Sequence, residues 1–177
     1  MKKFKSFIYG SVIVSLFMSL TFAQTTKLLF KIERSKNANL VRYDAKIDND
    51  GRIDKETPID YYWLLYASDG SREEIAKIER RAYGFSIKYN EAGHFDMQMN
   101  AVKDRKLKIL LINSEPKAEI LINGRNAYLS KIYINSEDNF LSIPVVNYYT
   151  LTGNDIETGE EIEEKIAVKK SKTEETK

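Results

Sequence analysis

Apolar and polar positions along this chain alternate mostly with a period of two, the signature of half-buried strands. Leu28, Phe30 and Ile32 alternate with Leu29, Lys31 and Glu33, and Val41, Tyr43, Ala45 and Ile47 alternate with Arg42, Asp44 and Lys46. Ile59 to Tyr66 runs almost continuously apolar, which predicts a strand covered on both faces. Phe85-Ile87-Tyr89 and Phe95-Met97-Met99 flank the short loop Asn90 to Gly93, and Leu107 to Ile112 is a further apolar run. Ala118-Ile120-Ile122 leads into Asn123-Gly124, a pair suited to the positive φ angles of a type I′ hairpin turn, and residues 126–134 return from it. Ile143 to Leu151 and Glu160 to Val168 flank one more loop, Gly153 to Gly159.

One segment has the helical period. Ser71-Arg72-Glu73-Glu74 matches a capping box, Ile75, Ile78 and Ala82 follow at helical spacing, and Gly84 ends the run. The pattern predicts a helix over 71–83 lying on the Tyr61–Tyr66 strand as its second cover. The expectation is a mainly β, single-domain antiparallel sandwich or partly open barrel of about nine or ten strands with one helix.

The ends of the chain do not share this pattern. Lys2, Lys3 and Lys5 precede an apolar stretch from Phe7 to Leu20, and Thr21-Phe22-Ala23 offers small residues at the positions a signal peptidase reads. This predicts a signal peptide over 1–23, a domain over 24–168 and a charged, solvated tail over 169–177. A periplasmic or secreted protein with no transmembrane segment after cleavage follows. The predicted signal holds three of the 28 basic residues and no acid, so 25 basic and 26 acidic residues remain beyond it, a formal charge of −1. A balanced surface of that kind argues against a nucleic-acid partner, which demands a basic stripe.

Much chemistry is excluded by residue type. Cysteine is absent and His94 is the one histidine, so disulfides, a lipid-bearing cysteine and a zinc site of His and Cys ligands are all ruled out. Catalysis through a histidine would have to use His94, beside a turn, where a loop role is the ordinary one. Asp48-Asn49-Asp50-Gly51 suggests a calcium loop, but aligning Gly51 with the sixth position puts Lys46 first and Thr57 twelfth, where acids are required. A strand-connecting turn explains the aspartates. The glycines form no phosphate or dinucleotide fingerprint, so no cofactor is expected.

Three stretches stand out together: Arg34-Ser35-Lys36-Asn37-Ala38-Asn39, Pro58-Ile59-Asp60-Tyr61-Tyr62-Trp63, and Ala82-Tyr83-Gly84. On these, the chain from about Leu28 to Ile166 resembles a group of small exported bacterial proteins defined as a domain of unknown function, family 4833. The resemblance implies one exported domain and supplies no catalytic residue. Two readings of the 34–39 stretch stay open. In one, Asn37 and Asn39 close backbone groups in a wide turn while Arg34 pairs with an acid. In the other, Arg34, Lys36, Asn37 and Asn39 form an anion or carbohydrate contact with Tyr43, Trp63, Arg81 and Tyr83 nearby. The aromatic pairs Tyr61-Tyr62 and Tyr148-Tyr149 each send one ring to either face of a strand. The expected function is a non-enzymatic envelope protein binding a small amphipathic ligand or a protein partner. The alternative is a hydrolase that pairs two carboxylates from among Glu73, Glu74, Glu79, Asp96 and Glu119, which must face each other across a cleft.

Overall fold

The structure is a computed structural model and describes residues 25–138 and 144–168. The predicted signal peptide and tail, and Ile143 at the start of a predicted strand, lie outside the described residues. Eleven strands and one short helix follow in the order β1 (Thr25–Arg34), β2 (Leu40–Ile47), β3 (Ile59–Leu64), β4 (Arg72–Glu74), α1 (Arg80–Tyr83), β5 (Phe85–Tyr89), β6 (Phe95–Met99), β7 (Lys106–Ile112), β8 (Glu115–Ile122), β9 (Arg125–Asp138), β10 (Pro144–Asp155) and β11 (Glu161–Ala167).

All eleven strands belong to one sheet, curled into a half-barrel around β9. β10 pairs with β9 from Ala127 to Asp138 and carries β11 on its far side. The opposite edge of β9 is shared. Its first residues, Arg125–Tyr128, pair with β8, and Lys131–Ile134 pair with β1. Two wings therefore spring from one long strand, β1-β2-β3-β4 and β8-β7-β6-β5, and fold toward each other. Their free ends meet through rings. Phe30 stacks on Tyr43 at 4.6 Å and Tyr43 on Tyr61 at 5.7 Å, and Tyr61 meets Phe85 of the other wing edge-on at 5.1 Å. The core lies between the wings, with Ile32, Val41 and Tyr43 on one side and Met97, Leu107, Ile109 and Ile120 on the other.

The turn chemistry follows the residues. Asn123 and Gly124 have φ of 50° and 75°, as the Asn-Gly pair requires for a type I′ turn. The Asp48 carboxylate accepts the amides of Asp50 and Arg52, both at 2.9 Å, and so closes a turn instead of a calcium loop.

Three expectations are corrected. The helix is confined to Arg80–Tyr83, and Arg72–Glu74 is an edge strand on β3. The cause is the preceding turn. Asp69 accepts the Ser71 amide at 2.9 Å, and Gly70 takes a φ of +74°, so the chain doubles back and lies alongside β3 before a helix can start. The carboxylate that closes a free amide is Glu79 on Ala76, at 2.9 Å, rather than Glu74 on Ser71. Gly84 still ends the helix, where the backbone turns extended, and a Cβ there would collide with the Arg80 carbonyl. Next, the sheet is not purely antiparallel, since β1 and β9 run parallel. Parallel neighbours need a long crossover, and β2 to β8 supply it. Finally, a β-bulge between Leu28 and Phe30 turns Leu28 outward and Leu29 inward, breaking the simple alternation of β1.

The outer cover of β3 is polar rather than helical. Asp44, 1% exposed, accepts from Arg42 at 2.6 Å and from the Tyr62 hydroxyl at 2.9 Å. The Arg72 guanidinium lies 3.9 Å from the Tyr62 ring centre and grips both oxygens of Asp60 at 3.0 and 3.1 Å. Residues of β2, β3 and β4 thus roof the strand with a closed network.

Candidate functional site

Phe30, Ile32 and Arg34 share one face of β1, and the first two are fully buried. Arg34, the last residue of the strand, therefore enters the space between the wings where the apolar core ends. Its backbone is fixed in place. Arg34 is in register with Ile134 of β9, the Ser35 amide donates to the Ile134 carbonyl at 3.0 Å, and the Ser35 hydroxyl donates to the Ser136 carbonyl at 3.1 Å.

The guanidinium lies 4.4 Å from the centre of the Trp63 ring, within cation–π range. Trp63 is locked from two sides. Tyr83 packs edge-on against it at 5.0 Å, and its indole N–H donates to Glu79 at 3.0 Å. The same Glu79 oxygen accepts the Ala76 amide, so this carboxylate braces both the ring and the turn before α1. Beneath them the Tyr43 hydroxyl donates to the Tyr83 carbonyl at 2.6 Å, and burial pushes the Tyr43 phenol well above its ordinary pKa, with Tyr61 and Tyr83 adding to the shift.

Two adjoining cavities open around Arg34. The smaller, about 320 Å³, lies over Trp63, Leu65 and Asn39, with Glu73 and Glu79 on its wall. The larger, about 500 Å³, is a groove walled by Ala82, Tyr83, Ala101, Ile134 and Val146, with Lys36 and Ser136 also lining it. Arg34, Ile78 and Glu79 line both. Ile78 stands at this shared boundary and is 74% exposed.

Arg34 has more donors than partners. One terminal nitrogen donates to the Asn37 side chain at 3.2 Å, whereas the buried Nε has no partner. Among the described residues no carboxylate forms an ion pair with it, so the expectation that Arg34 pairs with an acid fails. The guanidinium lies over the Trp63 ring instead. The asparagines do close the bend. Asn37 accepts the Asn39 amide at 3.1 Å, and Asn39 accepts the Ala67 amide at 2.8 Å, tying the bend to the turn after β3.

Arg34, Lys36, Asn39, Trp63 and Tyr83 thus come together on the cavity walls. Asn37 braces Arg34 from the side, and Tyr43 lines neither cavity but supports Tyr83 from the core. Arg81 is exposed on α1 and lines neither cavity. Ile78, Glu79, Ala82, Ile134 and Val146 complete the site. The first three fall within the segment expected to be one continuous helix, Ile134 arrives through the parallel pairing of β1 with β9, and Val146 through the antiparallel pairing of β10 with β9.

The remaining acids are dispersed. Glu119 pairs with Lys108 at 3.0 Å, and Asp96 lies 3.3 Å from His94 on a separate hairpin. Among the described residues, no group of three His, Asp or Glu side chains is arranged to hold a metal ion, and no helix is long and apolar enough to cross a membrane.

Comparison with known sequences places residues 30–165 in a domain of unknown function, DUF4833, and the chain belongs to that family. No curated protein and no solved structure matches it.

Proposed function

We propose that this DUF4833 protein is an exported, non-enzymatic binding protein whose groove beside Arg34 takes a small amphipathic molecule with an anionic end. The observation that carries the reading is Arg34 itself. A guanidinium has five N–H donors, and here one donates to Asn37 while a buried one is left unpaired, in a side chain that lines a largely apolar groove. A buried donor without a partner costs about 1–3 kcal/mol, so the guanidinium gains by shifting to meet an acceptor that a ligand brings. Alanine, isoleucine and valine walls suit an aliphatic body, and the stacked cation suits its head. The lysines and apolar run within residues 1–23 support action outside the cytoplasm.

The hydrolase alternative has less support. Glu73 and Glu79 share one cavity wall, but the Glu79 oxygen is already engaged by Trp63 and Ala76.

Trp63 is the sole tryptophan, so its emission reports on this site alone. Native mass spectrometry of the exported chain, purified gently, should show an added mass that leaves on denaturation and is absent from Arg34→Gln. Titration with dodecanoate should shift the Trp63 emission of the wild-type protein only. Bare masses for both proteins, together with unchanged emission, overturn the proposal.

A further inference from the structure

A second concavity lies on the outer face of the sheet, away from the groove. There β9, β10 and β11 run side by side, and their register aligns residues in rows: Lys131 with Thr152 and Glu163, then Tyr133 with Thr150 and Lys165. Partners in a row share a face. The middle strand therefore carries two short threonines between long side chains on both neighbours. The result is a trough of about 240 Å³ along β10, with Tyr148 at its end.

Three features go beyond what a solvated sheet face requires. Thr150 and Thr152 are only 6% and 3% exposed, although they point away from the core. The Thr152 hydroxyl lines this trough and has no hydrogen-bond partner. The Lys165 ammonium sits 3.7 Å from the Tyr148 ring centre, and neither Lys165 nor Lys131 forms an ion pair among the described residues.

The chemistry of the lining narrows the ligand. Aromatic rings accept the C–H face of a pyranose, and hydroxyl and carboxylate groups match its hydroxyls. Two lysines against one glutamate leave a net positive charge. A neutral sugar would leave that charge unanswered, while a bare phosphate would meet Glu163 directly. We propose that this trough binds a saccharide bearing a carboxylate group. Lys131 and Lys165 hold the carboxylate, Tyr133 and Tyr148 flank the sugar ring, and Glu163 accepts from its hydroxyls. The Thr152 oxygen is nearly closed to solvent, so a sugar hydroxyl reaches it once the side chains lining the trough shift.

The test is an NMR titration of the intact exported chain with three probes, trigalacturonic acid, maltotriose and inorganic phosphate. Trigalacturonate should move the amides of β10 and β11 at lower concentration than either other probe. Lys131→Gln and Lys165→Gln should each weaken it by about tenfold, the scale of one charge-assisted hydrogen bond. Thr152→Val should weaken binding by about threefold while raising Tm, because it deletes an unpaired buried hydroxyl. Arg34→Gln should leave this titration unchanged, which separates the trough from the groove. Phosphate binding as well as trigalacturonate, amides unmoved by millimolar trigalacturonate, or unaltered affinity in all three trough variants would overturn the assignment.

Discussion

Two arginines in this molecule lie over aromatic rings of adjacent residues on one strand, and they end in opposite circumstances. Arg72 stacks on Tyr62 on the outer face of β3, and Arg34 stacks on Trp63 on the inner face. Arg72 also holds both oxygens of Asp60 and one of Glu74, while the ring beneath it donates to Asp44. Every element of that cluster answers another. Arg34 has one side-chain amide and a ring, with a buried nitrogen left over. The same stacking motif therefore serves two ends. Where carboxylates complete it, it is a clasp for the edge strand, and where they are missing it is left open, which is the ground for the binding role proposed for Arg34.

Removing the centre of the clasp should have the largest effect. Asp44→Ala strips the acceptor from both Arg42 and Tyr62 and leaves them facing a cavity, for an expected loss of about 2–4 kcal/mol. The Arg42 side chain is about a third exposed, which holds the loss below that of a fully buried pair. Urea denaturation measures it, and a loss under half a kcal/mol would show that the network is ornamental. Next comes the exchange of roles between the two arginines. Arg72→Gln should cost about 0.5–1 kcal/mol, since its side chain is half exposed and its ion pairs are screened, and it should leave dodecanoate binding alone. Arg34→Gln should do the reverse, lowering affinity by about tenfold or more with little change in stability, because the lost stacking is offset by relief of the unpaired nitrogen. Equal effects of the two variants in both assays would abolish the distinction.

The clasp and the receptor were unequally legible in the sequence. Alternation marked most of the strands, and Asn123-Gly124 marked its turn, because a period of two and a positive φ are local demands. The bend at 34–39 and the pattern Tyr61-Tyr62-Trp63 named half of the groove, since amides and cations clustered in a bend are conspicuous. Ile134 and Val146 were invisible as partners of Arg34. Ile134 reaches it through a parallel pairing across roughly a hundred residues, and Val146 follows on β10 beside it, which no local period encodes. Arg72 misled for a related reason. Ser71 to Glu74 fits a helix start, but the Asp69–Gly70 turn returns the chain to β3, and tertiary pairing overrides a capping pattern. The exposed Arg81 carried the same charge as Arg34 but lacked its position on a core-facing row.

A second pair of variants probes how Trp63 is held. Trp63→Phe keeps a ring under Arg34 but removes the indole donor to Glu79 and leaves part of a buried site unfilled, and about 2 kcal/mol should be lost. If Glu79 is a brace, Glu79→Gln should lose less than Trp63→Phe, because an amide oxygen still accepts from both the indole and Ala76. A larger loss in Glu79→Gln would assign its charge another task.

The finest separation of the two stacks comes from pH. Burial, together with the hydrogen bond to Asp44 and the charge of that carboxylate, raises the Tyr62 phenol above its ordinary pKa. A raised tyrosine contributes stability that is fully present below the unfolded value of about 10 and is lost as pH climbs through the folded value. The sign follows from the contact, because the hydroxyl must keep its proton to donate to Asp44. Other tyrosines share the alkaline limb. The Tyr149 phenol is pushed up to about 12 by burial and by Asp104 beside it, and Tyr43 is raised as well. Tyr62→Phe should therefore lower stability slightly at neutral pH and make its decline above pH ~10 shallower without abolishing it. Trp63 has no proton to lose in that range, so Trp63→Phe should shift the whole curve down with its alkaline slope unchanged. Parallel alkaline slopes for Tyr62→Phe and the wild type would mean that the phenol over which Arg72 stacks is not held by Asp44, and the clasp would then be no more closed than the receptor.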